Sequence, residues 1–193
     1  MLLLDSAAAT AASTVLILGD SLSAGFGIGI EQSWPTLLDQ RFATLKLPYR
    51  VANASISGET TAGGLSRLPG ALDRFQPAVV VIALGANDGL RGLPVEQMRT
   101  NLAAMVRTAR TRHANALLIG IKLPPNYGPD YTARFDATYR RVAKEERTAL
   151  LPFLLEPIAL DAAAFQADGL HPVATAQAKI LDHVWKALKP LLK

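Results

Sequence analysis

Pro77-Ala78-Val79-Val80-Val81-Ile82-Ala83-Leu84-Gly85 is the stretch whose reading decides the fold. Residues 78–84 carry no polar side chain, are rich in β-branched valine and isoleucine, and lie between a proline and a glycine. A strand with one wet face alternates apolar and polar residues, so an uninterrupted run belongs to a strand covered on both sides. Residues 14–18 (TVLIL) form a second run of this kind. Residues 49–54 and 116–121 read as two more strands, and residues 149–155 hold a short fifth that Pro152 confines to an edge or an end. Helical spacing fills the gaps. Pro94 suits a first turn, and Leu102, Met105, Val106 and Ala109 then recur on one face up to about His113. Residues 131–147 read as another long helix. From about Ala174 a last helix carries Ile180, Leu181, Val184, Trp185, Leu188 and Leu192 as one apolar stripe, which is expected to pack on its own sheet. Strands alternating with helices predict a parallel sheet with helices on both faces, a three-layer α/β/α sandwich.

At 193 residues and 50% hydrophobic content, one full core can form, and no repeat or low-complexity linker divides the chain. Residues 14–193 therefore read as a single domain. Residues 1–13 (MLLLDSAAATAAS) lack a basic start, and Asp5 breaks their short apolar run, but Ala7 to Ala12 resemble the small-residue end of an export signal. They read as a flexible leader or a signal-peptide remnant. A periplasmic or secreted protein is expected on that reading, with the cytoplasm as the alternative.

Twenty Lys+Arg against 16 Asp+Glu give a net charge of only +4. The basic stretches at 107–112 and 140–147 fall in helical segments and read as solvated faces. With aromatics at 6%, there is little to stack bases on, so no nucleic-acid partner is expected. No stretch approaches the ~18 apolar residues of a membrane span. Without cysteine there are no disulfides, thiolate metal sites or cysteine nucleophiles. Three scattered histidines and no H-E-x-x-H make a poor metal-ligand set, so neither metal nor cofactor is expected.

Three segments instead fit acyl transfer. Gly19-Asp20-Ser21-Leu22-Ser23 puts a serine just past the first strand, where a helix cap is the commoner role. Asp168-Gly169-Leu170-His171-Pro172 puts a histidine in a loop, with a carboxylate three residues earlier that a short turn can bring to its ring. His113 reads as a helix C-terminal residue, and His183 as a solvent-facing one. Gly85-Ala86-Asn87-Asp88 puts a non-titrating amide past the third strand, although Asn87 is also an ordinary turn residue. Gly58 can offer a bare backbone N–H, or simply a turn. Ser21 is thus the candidate nucleophile, His171 its base, Asp168 the group that orients the base, and Gly58 and Asn87 the oxyanion donors. In open α/β sheets ligands sit beyond the carboxyl ends of the strands, where Ser21 and Asn87 fall. Residues 90–93 and 124–127 follow the third and fourth strands, so Leu90, Leu93, Pro124 and Tyr127 are expected to line the acyl site unless these loops merely connect.

These residues resemble the SGNH (GDSL-type) hydrolases. GDSLS at 19–23, NASISGETTAGG at 53–64, GAND at 85–88 and DGLHP at 168–172 match the four family blocks in order. NDGLRG at 87–92 and LPPNYG at 123–128 are closest to the bacterial multifunctional group with thioesterase, arylesterase and lysophospholipase activities. The resemblance implies a flavodoxin-like strand order 2-1-3-4-5 and adds the backbone N–H of Ser21 to the oxyanion hole. It also implies small acyl ester or thioester substrates, and a monomer is expected. A carbohydrate O-acetyl esterase is the enzyme alternative. A non-catalytic nucleotide-binding protein is more distant, since Gly25, Gly27 and Gly29 do not spell G-x-G-x-x-G and no phosphate-binding loop motif occurs. The fifth residue of the nucleophile block is Ser23 and not glycine, which disfavours the α/β-hydrolase elbow.

Overall fold

The computed structural model describes residues 12–192. Five strands form one parallel sheet: β1 (Ser13–Gly19), β2 (Tyr49–Asn53), β3 (Val79–Ala83), β4 (Asn115–Ile119) and β5 (Ala149–Leu151). Their order is β2-β1-β3-β4-β5. The two apolar runs lie side by side at the centre, with Val15 to Leu18 and Val79 to Ile82 all at 0% exposure. β2 and β5 are the edges. Thr148 donates through Oγ1 to the Ala116 carbonyl beside β5, and Pro152 follows its last residue, as its missing N–H requires.

Among the described residues seven α-helices flank the sheet: α1 (Ser21–Ala24), α2 (Trp34–Thr44), α3 (Thr61–Phe75), α4 (Ala86–Leu90), α5 (Val95–Thr111), α6 (Pro129–Glu146) and α7 (Gln177–Leu188). α2 packs with α7, while α3, α5 and α6 pack in series on the other face. Parallel crossovers are right-handed, so the reversal of direction between the β1–β2 and β2–β3 connections puts their helices on opposite faces. Trp34, Leu38 and Phe42 fill the space under α2, and Phe135 and Tyr139 the space under α6. The Gln177 side chain accepts from Trp34 N at 3.0 Å and so ties the starts of α2 and α7 together.

α2 and α3 are the long helices that hydrophobic spacing alone does not reveal. α3 contains Gly63, Gly64, Pro69 and Gly70, all poor helix formers. It forms because Thr60 caps it through Gly63 N and because its buried face packs on α5 and the sheet. A β-carbon on Gly64 would lie 2.3 Å from Leu84 Cδ1, so the glycine lets α3 approach the end of β3.

β1 begins at Ser13, one residue earlier than expected, and residues 1–11 of the proposed leader lie outside the described residues. Among the described residues no helix is long and apolar enough to cross a membrane.

Candidate active site

The connections after β1 and β3 leave in opposite directions, and a crevice opens between the two strand ends. Ser21 enters it as the first residue of α1. Asp20 caps that short helix in an extended conformation, its Oδ1 accepting from Leu22 N at 3.0 Å, and Gly25 closes it in the left-handed region. Being at a helix start, the Ser21 N–H has no carbonyl of its own helix to meet. Asp20 is 2% exposed, and burial pushes its carboxyl up to about 6.

On the opposite wall stands His171. Its loop wraps around one carboxylate: Asp168 Oδ1 accepts from Leu170 N at 2.9 Å and His171 N at 3.0 Å, while Oδ2 lies 2.6 Å from His171 Nδ1. Gly169, at φ 66°, makes the turn possible. The hydrogen bonds from the backbone and ring of His171, with that from Leu170, hold the Asp168 carboxyl down at about 2. An ionised carboxylate can only accept, so the ring proton sits on Nδ1 and is donated to Asp168 in a hydrogen bond. That leaves Nε2 as an acceptor, and it lies 2.8 Å from Ser21 Oγ. The ring is further held by Phe26, whose centroid lies 4.5 Å from that of His171. Gln166 links the two loops, donating to the Phe26 carbonyl at 2.8 Å and the Pro172 carbonyl at 3.1 Å.

Gly58 lies in the β2–α3 loop with φ 80°, next to Glu59, whose carbonyl Asn87 holds, and it is not among the residues that line the pocket beside Ser21. Among the described residues no backbone carbonyl accepts from its N–H. Its own carbonyl is held by Arg91 Nη2 at 2.8 Å. Asn87 lies in α4, past β3, and its amide donates to the Glu59 carbonyl at 2.9 Å, which leaves its second N–H free. The sheet thus brings Ser21, Asn87 and His171 to one crevice, with Asp168 bonded to the far side of the His171 ring and Gly58 on the segment that Asn87 holds.

Beside this group lies an apolar pocket of about 270 Å³, walled by Leu90, Ile121, Leu123, Pro124, Phe153 and Leu155, with Ser21, Asn87 and His171 at its polar end. Of the four expected acyl-site residues, Leu90 and Pro124 line it. Leu93 does not: it faces a separate cleft with Tyr131 and Arg134, because Gly92 turns the chain away. Tyr127 is absent from the wall too, and its hydroxyl donates to the Leu90 carbonyl at 3.0 Å, supporting the wall from behind. Of the other histidines, His113 follows α5 with φ 59°. His183 is not solvent-facing as expected: it is largely buried, with Nε2 3.0 Å from the Phe153 carbonyl. Phe26 and Gln166 carried no signal in the sequence, since their roles depend on loops far apart in the chain. Among the described residues no group of three or more His, Asp or Glu is arranged as a metal site.

The model of the GDSL-like lipase/acylhydrolase family matches residues 17–179. The chain belongs to that family. Among relatives of this GDSL-like hydrolase is esterase TesA of Pseudomonas aeruginosa, 52% identical over 182 residues, covering 94% of this chain and 90% of the relative. Thioesterase 1/protease 1/lysophospholipase L1 of Escherichia coli K12 is 44% identical over 184 residues, covering 95% of this chain and 87% of its own. A crystal structure of TesA superposes with a TM-score of 0.91 at 52% identity, covering 93% of this chain and all of that one. The sheet order of this GDSL-like hydrolase is the one the family resemblance implies.

Proposed function

We propose that this protein hydrolyses carboxylic esters and thioesters through an acyl-enzyme on Ser21, with His171 as its base and Asp168 orienting the ring. The observation that carries the reading is the continuous relay from Ser21 Oγ through both ring nitrogens to Asp168 Oδ2, with links of 2.8 and 2.6 Å, opening onto an apolar pocket. As Ser21 Oγ bonds to the acyl carbon, its proton passes to His171 Nε2, and Asp168 stabilises the resulting imidazolium. The carbonyl oxygen becomes an oxyanion, for which the backbone N–H groups of Ser21 and Gly58 and the free amide N–H of Asn87 are the donors. Each such donor contributes about 3 kcal/mol to the transition state. Collapse breaks the C–O or C–S bond, and the imidazolium returns its proton to the leaving alkoxide or thiolate. A water, deprotonated by the same nitrogen, then attacks the acyl-enzyme and releases the carboxylic acid with Ser21 restored.

The apolar wall favours an acyl chain over an acetylated carbohydrate, because an acetyl group would leave Leu123, Phe153 and Leu155 without a partner. Aryl esters, acyl-CoA thioesters and lysophospholipids are the substrate classes that suit this pocket and the names of its relatives. The protein acts as a monomer on small substrates. The small-residue run at residues 7–12 favours export to the periplasm or beyond. Initial rates on p-nitrophenyl esters, acyl-CoAs and lysophospholipids of graded length, set against acetylated xylan oligomers, test the reading. Preference for the acetylated sugars, or turnover that survives Ser21→Ala, would sink it.

A further inference from the structure

Behind the oxyanion donors lies a buried polar cluster that the relay does not use. Asp88 is 3% exposed, Thr61 0% and Asn101 4%. The Asp88 carboxylate accepts twice from Thr61: Oδ2 from its backbone N at 2.8 Å, and Oδ1 from its hydroxyl. Asn101 donates to that hydroxyl at 3.0 Å, and Gln97 donates to Asn101 Oδ1 at 3.0 Å. Every donor in the chain points toward the carboxylate, so each bond polarises the next. The carboxylate also meets the open N-terminal turn of α3, where a negative charge is favoured.

The place of this cluster in the chain gives it a role. Asp88 follows Asn87 directly, and Thr61 lies three residues after Gly58. The two short segments that supply the oxyanion donors are therefore joined twice. On the crevice side Asn87 holds the Glu59 carbonyl, and on the buried side Asp88 holds Thr61. Two ties on opposite sides of a pair of segments fix both their spacing and their relative rotation, which one tie cannot do.

We propose that Thr61, Asp88 and Asn101 form a positioning clasp that sets the spacing of Gly58 N–H and Asn87 Nδ2 for the oxyanion. The inference rests on the hydrolase reading and assigns these residues no contact with substrate. Loosening the clasp misplaces donors that act only in the transition state, so kcat should suffer and ground-state binding should not.

The test uses Thr61→Val, which keeps the shape and removes the hydroxyl, Thr61→Ser, which keeps the hydroxyl, and Asp88→Asn. For each, kcat and KM are measured on a short p-nitrophenyl ester. The Ki of an alkyl trifluoromethyl ketone, which adds to Ser21 and forms an oxyanion, is compared with that of the alkyl alcohol of equal length, which does not. Thr61→Val and Asp88→Asn are expected to lower kcat by roughly ten- to a hundredfold, as a displacement of about 1 Å can. KM and the alcohol Ki should stay within about twofold, the ketone Ki should weaken in step with kcat, and Thr61→Ser should restore most of the rate. A folded Thr61→Val with wild-type kcat overturns the inference, as does an equal weakening of ketone and alcohol. If Asp88→Asn does not fold, the two Thr61 variants decide. A wild-type protein that neither turns over the ester nor binds the ketone overturns the hydrolase reading itself, and the clasp with it.

Discussion

Ser21 Oγ and His171 Nε2 stand 2.8 Å apart although 150 residues separate them in the chain. Neither is on a strand. Ser21 is carried by the capped turn after β1, and His171 by a loop tied to the Phe26 carbonyl through Gln166. The contact depends on two loops, one shaped by Asp20 and both joined to each other by Gln166, side chains that do no chemistry.

Replacing Ser21 with Ala should lower kcat by several orders of magnitude while leaving the fold intact, since only the nucleophile is removed. Mass spectrometry after treatment with an alkyl phosphonate should find one adduct, on the peptide that contains Ser21. An adduct on any other serine would falsify the nucleophile assignment.

Asp168→Asn should fold normally, because the asparagine carbonyl can still accept from the backbone N–H groups of Leu170 and His171. Its amide donates where the carboxylate accepted, so the ring is driven to the tautomer that cannot take the serine proton. A loss in kcat on the order of 10⁴ is expected, as in other triads. In the wild type the carboxyl is held at about 2, so it stays ionised throughout the neutral range. Activity assays of the folded variant within tenfold of wild type would mean that another group orients the ring.

Burial raises the folded-state value of Asp20 from 3.8 to about 6. Between those values the folded protein keeps a proton that the unfolded chain has released. The favourable contribution is therefore complete below about pH 4 and is lost as the pH rises through about 6, a change on the order of 3 kcal/mol. Asp20→Asn keeps an acceptor for Leu22 N and cannot ionise. Urea unfolding at pH 4.5 and 7.5 should show the wild type losing stability relative to this variant as the pH rises. Parallel pH dependences for the two proteins would refute the assignment.

Each methylene buried against the pocket wall contributes ~0.8 kcal/mol, about a fourfold gain in affinity per carbon until the wall ends. Leu90→Ser should flatten that gradient and spare activity on acetyl esters. Leu93→Ser, which changes a different cleft, should leave the gradient as it was. A kinetic profile over C2 to C12 p-nitrophenyl esters separates the two outcomes. If both variants, or neither, change the profile, Leu90 does not form the acyl wall.

Much of this protein follows from short-range pattern. The valine-rich run before Gly85 and the one before Gly19 can be stable only between two helical layers, so a buried parallel sheet is written in them. Asp168 and His171 are three residues apart around a glycine, and a turn of that length closes on itself without help from the rest of the chain. Helix α3 is different. Its glycines and Pro69 weaken it locally, and burial against α5 and the sheet supplies what local preference withholds.

Only the tertiary structure decided which neighbouring loop residues share a pocket. Leu90 and Leu93 are alike in sequence, but one turn at Gly92 sends them to different clefts. Only the folded chain could bring Asp88 to Thr61, 27 residues away, and Asn101 to Thr61, 40 away. Local sequence records which side chains a strand or turn prefers. It does not record which polar groups must find one another once water is excluded, because those pairings follow from how helices and loops stack around the sheet.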